Sequence, residues 1–266
     1  MEQDYFFVVG CPRSGTTLLS VLLDRHSRLC VPPETAFLAE FSRFLWLRNR
    51  ASALKRLRDW PRTVDLDLSP EDILSRLGEQ PLARRAIFAA MLDLYAERHG
   101  KPRCGEKTPR HLRYIPQIHS WFPKAKTICV LRDGRDVALS LAAMPWYGQG
   151  LRGAARLWRS NLRLMEKAAR QCHDRFLIIQ YEALVSQPEA TTRTVMAFLG
   201  EGFEPQQLSP AAPSAVVLPR SLPWKGLALG PIRTDAVHAR RTAASDADLR
   251  YLDEVLKSEL ERYRYE

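Results

Sequence analysis

A parallel β-sheet flanked by helices, an α/β fold, is the class this 266-residue sequence predicts, and three observations predict it. Short, wholly apolar runs recur along the chain, each the length of one strand buried on both faces. Between them stand longer stretches whose apolar residues repeat at helical spacing. A glycine-rich turn joins the first run to the first such stretch. Strands alternating with helices imply parallel pairing through crossover connections. On this reading residues 1–266 form one domain, with a largely helical insertion after the first loop helix.

The first strand is Tyr5-Phe-Phe-Val-Val-Gly10, stopped by its glycine. After the turn at 11–15, Thr17–His26 carries the apolar spacing of a helix. From about Glu34 to His99 the pattern is helical, and Ser69-Pro70-Glu71-Asp72 is a helix start with serine as N-cap and proline at the first helical position. Arg103-Cys-Gly-Glu-Lys107 reads as a short apolar-to-polar stretch before Pro109. Lys126-Thr-Ile-Cys-Val-Leu131 is the next strong strand, followed by Arg132-Asp-Gly-Arg-Asp136 and a helix near 137–144. A long helix over about 153–172 leads to a third strand, Phe176-Leu-Ile-Ile179. One helix follows Pro188, and another closes the chain over 246–263. Residues 201–242 hold six prolines with weak periodicity, which marks a lid or ligand-covering segment.

With 45% hydrophobic and 26% charged residues, the chain can bury a sizeable core, which excludes wholesale disorder. No run of about 18 apolar residues appears, so no transmembrane helix is expected. The acidic opening Met1-Glu2-Gln3-Asp4 lacks the pattern of a signal peptide and points to the cytoplasm. Net charge is +10, and of 40 basic residues 32 are Arg. Guanidinium forks grip phosphate oxygens in pairs, so the balance suits an anionic partner, unless arginine is simply frequent in the source proteome. Basic and acidic residues are interspersed without aromatic interleaving, so nucleic acid is not the expected partner. The five cysteines show no CxxC pair or short Cys/His spacing, and neither a metal site nor a disulfide framework is expected.

Gly10-Cys-Pro-Arg-Ser-Gly15-Thr16-Thr17 fits the phosphate-loop spacing GxxxxGK[ST] except that Thr16 stands in the place of the lysine. Backbone N–H groups and the helix N-terminus still make an anion cradle, with Arg13, Ser14 and the threonine hydroxyls as added donors. The missing lysine, which would bridge β- and γ-phosphates, counts against ordinary ATP or GTP chemistry. Further on, Arg132 ends a strand and Ser140 lies two turns into the next helix. Both stand where open α/β sheets bind ligands, and the two can converge on one phosphate. A helix-capping ion pair of Arg132 with Asp133 is the structural alternative.

Pro12-Arg-Ser-Gly-Thr-Thr17 together with Leu131-Arg-Asp-Gly-Arg135 and Ser140 resembles the sulfotransferases that use 3′-phosphoadenosine 5′-phosphosulfate (PAPS). The chain is similar to the bacterial members related to tyrosylprotein sulfotransferases. Pro33-Glu34-Thr35, Glu106-Lys107-Thr108-Pro109 and Tyr181-Glu182-Ala-Leu-Val185 with Pro188 follow that pattern in the same order, and the likeness runs roughly from Phe6 to Gly200. One departure is Met144, four residues after Ser140, where the tyrosylprotein enzymes carry a further arginine. Trp224-Lys225-Gly226 resembles the Lys-Gly that closes over the 3′-phosphate in cytosolic sulfotransferases.

The resemblance implies a PAPS site with no metal and adenosine 3′,5′-bisphosphate as product. The loop Arg13, Ser14, Gly15, Thr16 and Thr17 would hold the 5′-phosphosulfate. Arg132 and Ser140, with Lys225 and Gly226, would hold the 3′-phosphate. Arg13 and Lys107 would neutralise the leaving group, and Glu34 would be the general base, with His111 in reserve. Tyr181 would pack on the adenosine or bond the 3′-phosphate, or else is a core residue at a helix start. Lys107 reads equally as a solvent-facing lysine paired with Glu106, and Glu34 as a surface or N-cap carboxylate. A hydroxylated small metabolite is the expected acceptor. Two other functions fit parts of the sequence: a phosphotransferase using ATP, with Asp133 and Asp136 on magnesium, and a non-catalytic module binding polyanions. The remaining histidines are expected on the surface. Oligomeric state is not encoded in any motif.

Overall fold

The computed structural model describes residues 4–41, 49–60, 62–212, 214, 230–234 and 237–265. Among them the strands are β1 (Phe6–Gly10), β2 (Leu29–Cys30), β3 (Arg103–Lys107), β4 (Lys126–Leu131) and β5 (Phe176–Gln180). They form one sheet in the order β2-β3-β1-β4-β5, with every described pairing parallel. Helix α1 (Thr16–Asp24) follows β1. After a π-helical turn at Phe37–Phe41 come α2 (Arg50–Arg58), α3 (Arg62–Asp65), α4 (Pro70–Leu77) and α5 (Arg84–Arg98), the helical insertion the periodicity anticipates. A 3₁₀ turn at Pro109–Tyr114 leads to α6 (Ile115–Trp121), and β4 leads to α7 (Gly134–Ala142) and α8 (Gly150–Gln171). Past β5 the chain continues through α9 (Tyr181–Ser186), α10 (Pro188–Leu199), α11 (Ala239–Thr242) and α12 (Asp246–Arg262). No described helix is long and apolar enough to cross a membrane.

The continuous apolar runs follow from cores on both faces of the sheet. Along β1, Phe7 and Val9 enter the core built with α5 to α8 and α12, while Phe6 and Val8 enter the other, built with α1, α9 and α10. β4 divides the same way, Cys129 and Leu131 against Ile128 and Val130. Side chains alternate across a strand, so burial on both faces leaves no polar position. Ser69 caps α4 by accepting from Asp72 N–H at 2.9 Å, with Pro70 at the first position, as the sequence indicates.

Two expectations are corrected. Arg103–Lys107 is a full strand of the sheet, buried along its length despite its charges. Of the histidines placed on the surface, His26 and His119 are buried. His119 Nε2 lies 3.0 Å from Thr127 Oγ1, and its Nδ1 is buried without a partner. Burial, reinforced by Arg175, pushes this imidazole from 6.5 down to about 4. The folded state resists a proton that the unfolded chain accepts, so the stability is present above pH 6.5 and lost as pH falls toward 4. Thermal melts across that window should show a smaller fall in Tm for His119→Gln than for the parent. Equal falls would exclude His119 as the source.

Candidate active site

Each motif sits at the carboxyl end of a strand, and the register puts those ends side by side. In the pairings of β1, Val8 lies opposite Lys107 of β3 and Gly10 opposite Val130 of β4; Leu131 lies opposite Gln180 of β5. Lys107, the glycine loop, Arg132 and Tyr181 therefore leave the sheet along one edge, on either side of central β1. This is the edge where open parallel sheets take ligands.

The loop turns tightly, with Ser14 N–H donating to Cys11 O at 3.1 Å. Arg13 holds a left-handed φ of 75° and Gly15 one of 94°. For a side-chain-bearing residue such as Arg13 that costs about 1–2 kcal/mol, which the surrounding structure must offset. Helix α1 begins at Gly15 with no side-chain cap, so its first amides face the loop. Ser14 is 1% exposed and its Oγ has no partner within the described residues. A buried hydroxyl left unpaired inside an anion cradle suits a sulfonate or phosphate oxygen.

The Arg132 side meets the loop in one cleft. Arg13 Nε donates to Ser140 Oγ at 3.1 Å, and Arg132 Nη1 lies 3.4 Å from Arg13 O. The Arg132 guanidinium stacks 4.3 Å from the Tyr181 ring centroid. The ring also meets the loop, because a Cβ on Gly15 would fall 2.2 Å from Tyr181 Cδ2. Tyr181 is thus buried against both the loop and the arginine. Burial raises its phenol above the usual range. The backbone at Arg132 is pinned twice: Trp158 Nε1–H donates to Arg132 O at 3.0 Å, and Asp133 N–H donates to Glu182 Oε1 at 3.0 Å.

Asp133 does cap α7, accepting from Arg135 N–H at 2.8 Å, but its ion-pair partners are Arg135 and Arg241, not Arg132. Burial alone would raise this carboxyl; the two arginines hold it below the usual range. Asp136 accepts from Arg241 and from His238 Nδ1, both at 2.9 Å. These contacts bring the segment before α12 onto α7 and Arg240 near Arg13. Burial, then Arg240 and Arg132, lower the Arg13 guanidinium below its usual value. Cations gathered this way repel one another, and an anion relieves the repulsion. Met144 is buried and apolar. Arg240, which no motif flags, is the base that lies near instead. Lys225 and Gly226 lie outside the described residues, as does much of the proposed lid.

On the other side of β1, Lys107 Nζ lies 3.1 Å from Glu34 Oε2, with side-chain exposures of 3% and 23%. Lys107 is therefore buried against Glu34, not solvent-facing and paired with Glu106. Glu106 faces a separate buried network: Thr35 Oγ1–H and Thr108 Oγ1–H donate to its Oε1 at 2.7 and 2.5 Å, and His111 Nδ1 lies 2.8 Å from its Oε2. Burial alone would raise the Glu106 carboxyl; His111 and these hydrogen bonds hold it below its usual range. Leu38 N–H donates to His111 Nε2 at 3.1 Å, so Nε2 must accept and the proton stands on Nδ1. His111 is completely buried with both nitrogens engaged, which leaves it unable to serve an acceptor as base.

Comparison with known proteins bears on the family and the fold. Residues 5–205 match the sulfotransferase family. A protein-tyrosine sulfotransferase of Drosophila melanogaster is 28% identical over 206 residues, covering 74% of this chain and 38% of that protein. The chain thus spans well under two thirds of that relative's length. The sulfotransferase domain from the curacin biosynthetic pathway has the same fold, with TM-score 0.65 at 20% identity over 97% of this chain and 98% of that one. The sulfotransferase domain from the Synechococcus PCC 7002 olefin synthase gives TM-score 0.63 at 25% identity over 96% and 94%.

Proposed function

The chain belongs to the sulfotransferase family, and from that premise we propose that it transfers the sulfonyl group of PAPS to a hydroxyl of a small-molecule acceptor by in-line displacement. The carrying observation is the Glu34–Lys107 pair at the end of β3, beside an open anion loop on β1 that touches Arg132 and Ser140 beyond β4. Bound PAPS supplies an activated sulfonyl group on a multiply anionic leaving group. The unpaired Ser14 hydroxyl and the gathered arginines fit such a group.

Arg13, Ser14, Gly15, Thr16 and Thr17 hold its 5′ end through loop amides and side chains. Arg132 and Ser140 hold the 3′-phosphate, and Tyr181 packs against both Arg132 and the loop glycine. Glu34 is the general base that takes the acceptor hydroxyl's proton. Lys107 orients that carboxylate and keeps positive charge at the same strand end, where it would help neutralise the leaving group. Asp133 and Asp136 are occupied by arginines, which weighs against magnesium-dependent phosphoryl transfer.

The experiment is transfer of labelled sulfonate from PAPS to a panel of hydroxylated metabolites and tyrosine peptides. Label in a metabolite supports the reading. Label in a peptide alone would favour the acceptor of the Drosophila relative. Protection against heating by ATP with Mg²⁺ but not by adenosine 3′,5′-bisphosphate would overturn the donor assignment. For the 3′ subsite, Arg132→Ala should weaken adenosine 3′,5′-bisphosphate about 10- to 100-fold in calorimetry, the worth of a charge-assisted hydrogen bond. Unchanged affinity would remove Arg132 from the site.

A further inference from the structure

We infer that Glu106 is a positioning residue that locks the strand carrying Lys107 to the segment carrying Glu34. The inference rests on the reading of Glu34 as base. It starts from a charged residue with no place in the anion site: Glu106 is completely buried, one position before Lys107 on β3, and held ionised by its neighbours. Adjacent strand residues face opposite ways, so Lys107 reaches Glu34 while Glu106 reaches the network behind it.

That network is a zipper between two short segments. Thr35 Oγ1–H donates to Glu106 at 2.7 Å, Ala36 N–H to Thr108 Oγ1 at 3.0 Å, and Leu38 N–H to His111 Nε2 at 3.1 Å. Glu106 closes it by accepting from Thr108 Oγ1 and binding His111 Nδ1. The first three links run from 35–38 to 106–111, so the residues immediately after Glu34 are fastened to those around Lys107. Ala36 takes a left-handed φ of 50°, which the zipper holds in place.

A carboxylate at position 106 is what the arrangement requires. His111 must accept at Nε2 from a backbone N–H that can only donate, so its Nδ1–H needs an acceptor opposite. Both threonine hydroxyls also donate toward position 106, and Thr108 Oγ1 must in turn accept from Ala36. Only an acceptor-only group satisfies all three. A glutamine of the same shape places an NH₂ against a donor, and the zipper opens at His111 or at the threonines.

Glu106→Gln should lower kcat for labelled sulfonyl transfer about a hundred-fold, the cost of roughly 1 Å of misplacement. Its affinity for adenosine 3′,5′-bisphosphate should stay within about twofold of the parent, and the Ala36 and Leu38 amides should exchange faster with deuterium. Thr108→Ser, which keeps the hydroxyl, should retain turnover, while Thr108→Val should resemble Glu106→Gln; this pair decides the matter should the glutamine variant misfold. In a Glu34→Gln background, Glu106→Gln should cost no further turnover, because the group it positions is gone. Equal losses in both backgrounds, unchanged exchange at 36 and 38, or equal behaviour of the two Thr108 variants would overturn the positioning role. Normal turnover of Glu34→Gln alone would instead overturn the reading of Glu34 as base.

Discussion

Glu34→Gln should lose about 10²- to 10⁴-fold in sulfonyl turnover while adenosine 3′,5′-bisphosphate binds as before. The glutamine amide oxygen still accepts from Lys107 Nζ, so the 3.1 Å contact that fixes the side chain is kept. What disappears is the ability to take a proton. Lys107, only 3% exposed, then faces a neutral partner, and a buried ammonium without its counter-charge destabilises the fold. The 23% exposure of position 34 lets water share that charge, so a lower Tm should accompany the loss without unfolding the protein. The decisive comparison is turnover against nucleotide affinity. Loss of both together would mean collapse of the site, and loss of neither would remove Glu34 from the chemistry.

The sheet was legible in its longer apolar strands, whereas the two-residue β2 is too short to leave a pattern. β1 and β4 read as apolar runs because both faces are buried, and their carboxyl ends gave the loop and Arg132 by position alone. β3 was not legible as a strand. Arg-Cys-Gly-Glu-Lys carries three charges in five residues, each satisfied by a partner outside the strand: Arg103 by Asp4 and Glu201, Glu106 by His111, Lys107 by Glu34. Periodicity registers side-chain polarity, not the partners that make burial tolerable. The same blindness hid Arg240, which stands nearly 230 residues from Arg13 and reaches it only because Arg241 and His238 dock on Asp136. His111 failed for the converse reason: its residue type suggests a base, and only its two hydrogen bonds show that neither nitrogen is available. A buried, fully bonded polar group looks the same in sequence as a poised one.

Gly15→Ala should damage both halves of the anion site through one methyl group. The position has φ 94° and ψ 10°, and alanine there costs about 1–2 kcal/mol of backbone strain. The larger cost is steric. The new Cβ would stand 2.2 Å from Tyr181 Cδ2 and 2.8 Å from Cε2, far inside contact distance. Any shift of the ring disturbs Arg132, which stacks 4.3 Å from its centroid. Relief must come from the loop, which loses its cradle, or from Arg132, which leaves the Arg13 carbonyl. Overpacking of this kind adds about 1–3 kcal/mol, so stability should fall by roughly 2–5 kcal/mol, or about 5–15 °C in Tm. Affinity for adenosine 3′,5′-bisphosphate should fall at least about tenfold, because the loop and Arg132 are disturbed together. Tyr181→Ala separates the two contributions, since it empties the space the methyl needs. In that background Gly15→Ala should cost only the strain, and the coupling between the substitutions measures the contact. An equal cost in both backgrounds would mean that the ring is not what requires glycine at the loop. Tyr181 would then not be the contact that keeps the loop and Arg132 in one cleft.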